Sequence, residues 1–350
     1  MSVASVLKDL IAISSVSSES NVPMIRYAQN VLRGWHHREQ EYVDENGAVK
    51  LNCVFSRDAR QSFELALVCH TDTVPYENVS QVQPVERDGV VLGRGACDVK
   101  GYLACALSAI AGAGDRACLI LTADEEIGCI GARKLVEASF VQARYAIIGE
   151  PTSLQPIRAG KGYCLAELKT HGREAHSAFP DLGESAIYRA ARVIEQVERI
   201  AVELREDRDE AFDPPYTTVN IGTIHGGRAK NIVPGECAML LEWRPIPSQL
   251  PDRVPGMLTG CDVKVLRMQA GFATPVSSRA VEVMQPISGR AAGSVSFGTE
   301  APWIAKLGAD AVVFGPGTMH VAHTREEQVP VAELEACIEM LRLTLNGLKI

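Results

Sequence analysis

Four apolar runs without polar alternation constrain this chain more than any other feature. "LALVC" (65–69), "CLILT" (118–122), "YAIIG" (145–149) and "AVVF" (311–314) carry no charged residue at alternate positions. Such strands are buried on both faces, which requires a mostly parallel sheet with helices above and below. Helical patterns around 23–35, 100–112, 128–138 and 331–346 provide that cover, so the chain reads as α/β.

Between about 160 and 272 the pattern changes. "GYCLAELKTHG" alternates like a half-buried strand, and 183–204 is helical, with Ile187, Ala190, Ile194, Val197, Ala201 and Leu204 as its apolar stripe. "TTVNIGTIHGG" and "CAMLLEWRP" read as two strands, followed by a weaker helix near 248–258 and the strand "DVKVLRM". This β-α-β-β-α-β order predicts a small ferredoxin-like α+β domain inserted at 160–273. The flanking parts, 1–159 and 274–350, form the larger domain, and hinges are expected near 158–162 and 272–276. A length of 350 residues and a hydrophobic content of 46% suffice for two such cores.

Bulk properties exclude several function classes. A net charge of -8 opposes binding to nucleic acid, and the arginines at 189, 192 and 199 alternate with Glu195 and Glu198 on what reads as a solvated helix face. No apolar run reaches the roughly 20 residues of a membrane span. "MSVASVLKDLIAISS" carries Lys8 and Asp9 inside its apolar residues, unlike a secretory leader. The ten cysteines show no zinc-finger spacing, so a cytoplasmic location with reduced, core-filling cysteines is expected.

The ligand-type residues fall at equivalent places. His70 follows "LALVC"; Asp124, Glu125 and Glu126 follow "CLILT"; Glu150 follows "YAIIG". "AVVF" leads through the Gly-Pro-Gly turn at 315–317 to His320 and His323. Sites in open parallel sheets form outside the carboxyl ends of the strands, so four strands deliver imidazole or carboxylate to one edge. "GRGACDVKG" adds Asp98 just before a helical pattern, where an N-cap is the ordinary alternative. Histidines with carboxylates suit zinc or a similar divalent metal, and there are enough of them for two ions sharing a carboxylate, for which Asp98 is the candidate. Asp72 would orient His70. Of the adjacent acids, one would bind metal and the other act as general base.

"HTDTVP", "GRGACDVKG", "ADEEIG", "GEPTS" and "AHSAFP" resemble, in order and spacing, the motifs of the co-catalytic dimetal deacylases. That group contains aminoacylases, succinyl-diaminopimelate desuccinylases and acetylornithine deacetylases. "CDVKG" and "GTEAPWIAKLGADAVVFGPGTMHVAHTREE" are most similar to the acetylornithine deacetylase branch; desuccinylases usually carry Gly-Thr-Ser-Asp at Gly298–Ala301. The resemblance implies a dizinc exopeptidase-like fold and two divalent ions, zinc or else cobalt. His70, Asp98 and Glu150 would serve one ion, and Asp98, Glu126 and His323 the other. It implies Glu125 as general base, Asp72 as support and His176 as donor to the oxyanion, often across a homodimer interface formed by the insert. Asn231, Arg244, Gly298, Thr299 and Glu300 would contact a small N-acetylated amino acid. His171 and His320 are not carried over. Removal of acetyl from N2-acetylornithine is the implied activity, with Glu300 expected to face the substrate's cationic side chain. Alternatives are deacylation of N-acetylcitrulline, of succinyl-diaminopimelate or of carrier-linked lysine or ornithine, and, in another class, a metal-binding scaffold without turnover.

Overall fold

The computed structural model describes residues 2–348, which divide into two compact units. The first comprises the chain up to Arg158, Thr274–Gly293 and the chain from Thr299; the second comprises Ala159–Ala273 and Ser294–Gly298. The short piece Ser294–Gly298, expected in the larger domain, groups with the insert: Lys161 N–H donates to the Val295 carbonyl at 3.1 Å.

The first unit is α/β. Its strands run in the order His36–Val43, Val49–Ser56, Ala117–Thr122, Ser62–His70, Gln142–Gly149 and Asp310–Phe314. The last four are mutually parallel, and these are the four unalternating apolar runs. Every residue of Ala117–Thr122 is buried, as a strand covered on both faces must be. The antiparallel hairpin His36–Val43/Val49–Ser56, which sequence patterning did not reveal, extends this sheet at one side. Its first strand, "HHREQEYV", is too polar to read as a sheet element.

Helices Val3–Ala12, Lys100–Ile110 and Val331–Gly347 pack together in the main core. Lys100–Ile110 is buried nearly all round, consistent with its Tyr-Leu-Ala-Cys-Ala-Leu composition. Gly101 allows this helix to start against the preceding turn, since a Cβ there would lie 2.4 Å from the Ala96 carbonyl oxygen. No helix among the described residues is long and apolar enough to cross a membrane.

The second unit has a four-stranded antiparallel sheet ordered Thr218–Gly226, Glu236–Arg244, Tyr163–His171, Asp262–Gln269, which is the ferredoxin-like arrangement. Helix Ala186–Glu203 covers one face, with Ala186, Ala190, Val193, Val197 and Ile200 buried. This stripe differs from the sequence expectation. Ile187 is 38% exposed and Ile194 only partly buried, because the apolar sector is wide and the smaller Ala186 and Ala190 turn inward to let the helix approach the sheet.

Candidate metal centre

Register brings the first ligands to one level. Val68 pairs with Ile148 in the parallel ladder, so His70 and Glu150, each two residues further on, leave adjacent strands side by side. His70 also stands opposite Thr122, after which the chain turns through Asp124 (φ 57°) into Glu125 and Glu126. Gly315 lets the neighbouring strand exit close over Glu150, whose carbonyl oxygen would be 2.5 Å from a Cβ there. That exit leads to His323, held at φ 62°.

His70, Asp98 and Glu150 offer ligand atoms within 4.8 Å of one another, and so do Asp98, Glu126 and His323. Asp98 joins the two groups, with one oxygen toward each histidine. Oδ1 lies 3.3 Å from His70 Nε2, and Oδ2 lies 3.2 Å from His323 Nε2; Glu126 Oε1 is also 3.2 Å from that nitrogen. These separations exceed the roughly 2.7–2.9 Å of a charge-assisted hydrogen bond. They match the spacing of about 3.3 Å between neighbouring ligands bonded at about 2.0–2.1 Å to a tetrahedral ion. His70 Nδ1 faces the Asp72 carbonyl oxygen at 3.0 Å. An Nδ1–H donated there leaves the Nε2 lone pair turned toward Asp98 and available to a cation. The residues fit a pair of divalent ions.

Electrostatics point the same way. Burial, with the Asp98 and Glu125 carboxylates, pushes Glu150 well above its ordinary value, and burial together with Asp98 raises Glu126. Burial would lower His70, but Asp72 and Asp98 outweigh it and hold it well above the usual value. His323 is pushed up to about 10 by Asp98 and Glu126. Burial opposes the ionised form of Asp98, yet His323 and His70 keep it below the carboxylate range. The three carboxylates of the ligand groups, with Glu125 beside them, face two imidazoles and leave an excess of negative charge that added cations or protons balance.

Asp98 is not a helix cap: Val99 holds that position in Lys100–Ile110, and no side chain caps it. Beyond the carbonyl that faces His70 Nδ1, Asp72 contributes its carboxylate to the site. Its carboxylate lies 3.6 Å from His70 Nδ1 but accepts the backbone N–H groups of Glu125 at 3.0 Å and Glu126 at 3.2 Å, and the Ser17 hydroxyl at 2.7 Å. It therefore anchors the loop that presents both acids. Glu125 lies outside both ligand groups, 9% exposed, with the Cys129 thiol donating to its Oε1 at 3.3 Å. His320 is exposed and belongs to neither group.

Several supporting residues carried no sequence signal. Lys50, fully buried, donates to the Ser17 and Glu19 carbonyls and to Asp124 Oδ1 at 2.8 Å, while the Tyr42 hydroxyl donates to Asp124 Oδ2 at 2.8 Å. Both come from the unforeseen hairpin, so nothing local to Asp124 announces them.

Glu300 departs from expectation. Its carboxyl is 1% exposed, and Oε2 accepts the Thr122 hydroxyl at 2.8 Å, so it does not present a carboxylate to a substrate cation. It stands at the N-cap of helix Ala301–Ala305 but makes no side-chain cap bond, and Oε1 has no hydrogen-bond partner among the described residues. Thr299, also buried, accepts the Ala301 N–H at 3.1 Å. Burial holds Glu300 at about 7, above its ordinary 4.5. The folded chain therefore keeps a proton that the unfolded chain releases between those values, and the stability this gives is full below 4.5 and lost as pH rises through 7. Glu300→Gln is expected to melt like the parent near pH 4.5 and to be more stable at about pH 8, by on the order of 2–3 kcal/mol. Thermal melts of chelator-treated protein across that range check it, and a difference independent of pH would refute it.

In the second unit, His176 pairs with Ile232, and Ser177 N–H donates to the Asn231 carbonyl at 3.0 Å, which makes His176 and Asn231 neighbours. His176 Nδ1 accepts the Ala178 N–H at 3.1 Å, so the neutral ring carries its hydrogen on exposed Nε2. Arg244 donates to Glu242 at 2.7 Å and stacks 4.6 Å over the Tyr163 ring. Gly298 packs near Tyr163 too.

Residues 66–347 match the family described as Peptidase family M20/M25/M40. The acetylornithine deacetylase of Myxococcus xanthus is 46% identical over 358 residues, covering 96% of this chain and 94% of that protein. Among solved structures, a tripeptidase from Staphylococcus aureus superposes with a TM-score of 0.78 at 23% identity, over 99% of this chain and 98% of the other. An M20 family metallo-carboxypeptidase from Sulfolobus solfataricus superposes with a TM-score of 0.74 at 18% identity, over 98% of each chain. At these identities the two structures speak for the fold.

Proposed function

Because this chain belongs to the M20/M25/M40 peptidase family, and is a hydrolase acting on amide bonds, we propose that it removes the acetyl group from N2-acetyl-L-ornithine, giving ornithine and acetate for arginine biosynthesis. The observation that carries the chemistry is the pair of ligand groups sharing Asp98. The substrate rests on the deacetylase from Myxococcus xanthus, at 46% identity.

His70, Asp98 and Glu150 would hold one divalent ion, and Asp98, Glu126 and His323 the other, with zinc favoured by the mixed nitrogen and oxygen donor set and cobalt acceptable. When bound, the ions supply a water acidified to near neutrality and a polarised amide carbonyl. Glu125, outside both ligand groups, takes the water's proton and returns it to the departing α-amine. His176, whose Nε2 bears the hydrogen, donates to the oxyanion, Arg244 holds the α-carboxylate of the amino acid, and Asn231 contacts the substrate beside it.

A homodimer through the insert is part of this reading. Thr218–Gly226 is an edge strand, and Ile224, Ile187 and Tyr188 are 47%, 38% and 74% exposed. An unpaired strand edge flanked by exposed apolar side chains is a template for pairing with a second copy.

The burial of Glu300 removes one argument for a cationic side chain, so the substrate must be assigned by turnover. With two ions loaded per chain, kcat/KM for N2-acetylornithine is expected to exceed that for N-acetylcitrulline, N-acetylmethionine and succinyl-diaminopimelate by at least about tenfold. Faster turnover of another member of the panel would move the assignment to it. Metal binding without hydrolysis of any of them, or of carrier-linked lysine or ornithine, would favour the scaffold.

A further inference from the structure

The two ligand groups are not held equally well. His70 and Glu150 extend directly from adjacent central strands whose ladder fixes their separation. Glu126 and His323 sit on loops, and His323 is 48% exposed at its side chain and lies on the long segment after Phe314. Asp98 lies on a turn as well, beyond the short strand Val90–Leu92. A site built from three loops needs some other device to set its spacing.

Glu327 supplies one. It follows His323 by four residues and is 2% exposed. Its Oε1 accepts the backbone N–H groups of Cys97 at 3.2 Å and Asp98 at 3.1 Å. Its Oε2 accepts Arg94 Nη1 at 2.7 Å, and Arg94 is 4% exposed. Its carbonyl accepts the Gly93 N–H at 3.0 Å, and the next residues, Gln328–Pro330, pair antiparallel with Val90–Leu92. One side chain thus grips the turn carrying Asp98 from the loop carrying His323, while Arg94, on that same turn, closes the grip.

We propose that the buried Arg94–Glu327 pair is a positioning clamp for the second cation site, setting the distance between Asp98 and His323. The proposal rests on the dimetal reading above. Neither residue ligates an ion or touches substrate in this account; each acts through Asp98. The first site depends on the clamp less, because the sheet already fixes two of its three ligands.

The test is zinc titration of chelator-treated full-length protein by calorimetry, beside hydrolysis rates at limiting and excess zinc. The unaltered protein is expected to bind two ions. In Glu327→Gln the amide oxygen still accepts from both backbone N–H groups, but its NH2 faces the Arg94 donor across a gap where a carboxylate oxygen stood. In the double variant Arg94→Met/Glu327→Met both members of the buried pair go together and Lys100 keeps its bond to the Ile13 carbonyl, so the fold is expected to be retained, which a thermal melt checks, while the Cys97 and Asp98 amides lose their acceptor. Each variant is expected to bind one ion within about threefold of the parental affinity and the other at least about tenfold more weakly than the parent, with activity restored by excess zinc. Two ions bound with parental affinities by the folded double variant would overturn the proposal, as would equal weakening of both. If Glu327→Gln does not fold, the double variant alone decides. Fewer than two ions in the unaltered protein would defeat the dimetal reading itself, a result distinct from failure of the clamp.

Discussion

Glu125→Ala is expected to keep two bound ions per chain and to lose about 10²–10⁴-fold in kcat, with KM little changed. The expectation follows from how one loop presents two consecutive acids. Asp72 takes the N–H groups of both residues, so the loop backbone is fixed whether or not either side chain is present. Consecutive side chains diverge, and Glu126 goes to Asp98 and His323 while Glu125 belongs to neither ligand group. Its carboxylate raises both His70 and Glu150, which places its charge close to the cluster without a ligand's position. A base that moves a proton within the bound complex affects the chemical step rather than ground-state binding. Metal analysis of the purified variant with initial rates over a substrate series is the check. A kcat within about threefold of the parent would remove Glu125 from the mechanism, and loss of an ion would make it a ligand instead.

The parts of this molecule legible in its sequence are those whose physics is local. Unalternating strands reveal a doubly covered sheet because burial on both faces leaves no room for polar residues, and the carboxyl ends of those strands then locate His70, Glu125, Glu126 and Glu150. The spacing on helix Ala186–Glu203 shows its amphipathicity but not the rotation of its buried stripe, which the sheet beneath decides. What stayed hidden depends on partners distant in sequence. Lys50 is one charged residue in "VKLNCVFS", and only the folded sheet brings it to Asp124, 74 residues away. Arg94 and Glu327 are 233 residues apart and meet only when the Asp98 turn and the His323 loop close on each other. Glu300 misleads for a related reason. A carboxylate beside a site motif suggests substrate contact, and its burial against Thr122 is a tertiary fact that local pattern does not carry.

Asp98→Ala is expected to weaken both ions together, by at least about 100-fold each, and so to abolish hydrolysis at ordinary metal concentrations. The two oxygens of this one carboxylate lie 3.3 Å and 3.2 Å from the Nε2 atoms of His70 and His323, so its removal takes a ligand from each group at once. Glu150→Ala or Glu126→Ala, by contrast, touches one group only. The stability signature separates this from a damaged fold. Without metal, deleting Asp98 relieves its repulsion of Glu150 and Glu126 but also removes the anion beside His70 and His323, so the chelated variant is expected to melt somewhat lower than the chelated parent, and the zinc-dependent gain is read against each protein's own baseline. With metal, the parent gains about 4 kcal/mol for each site filled at 1,000 times its Kd, a gain the variant largely forgoes at the same free zinc. Thermal melts with and without zinc, paired with titration, read both quantities. If the variant loses a single ion and keeps the other at parental affinity, Asp98 is not shared, and the bridged arrangement from which the proposed chemistry starts has to be abandoned.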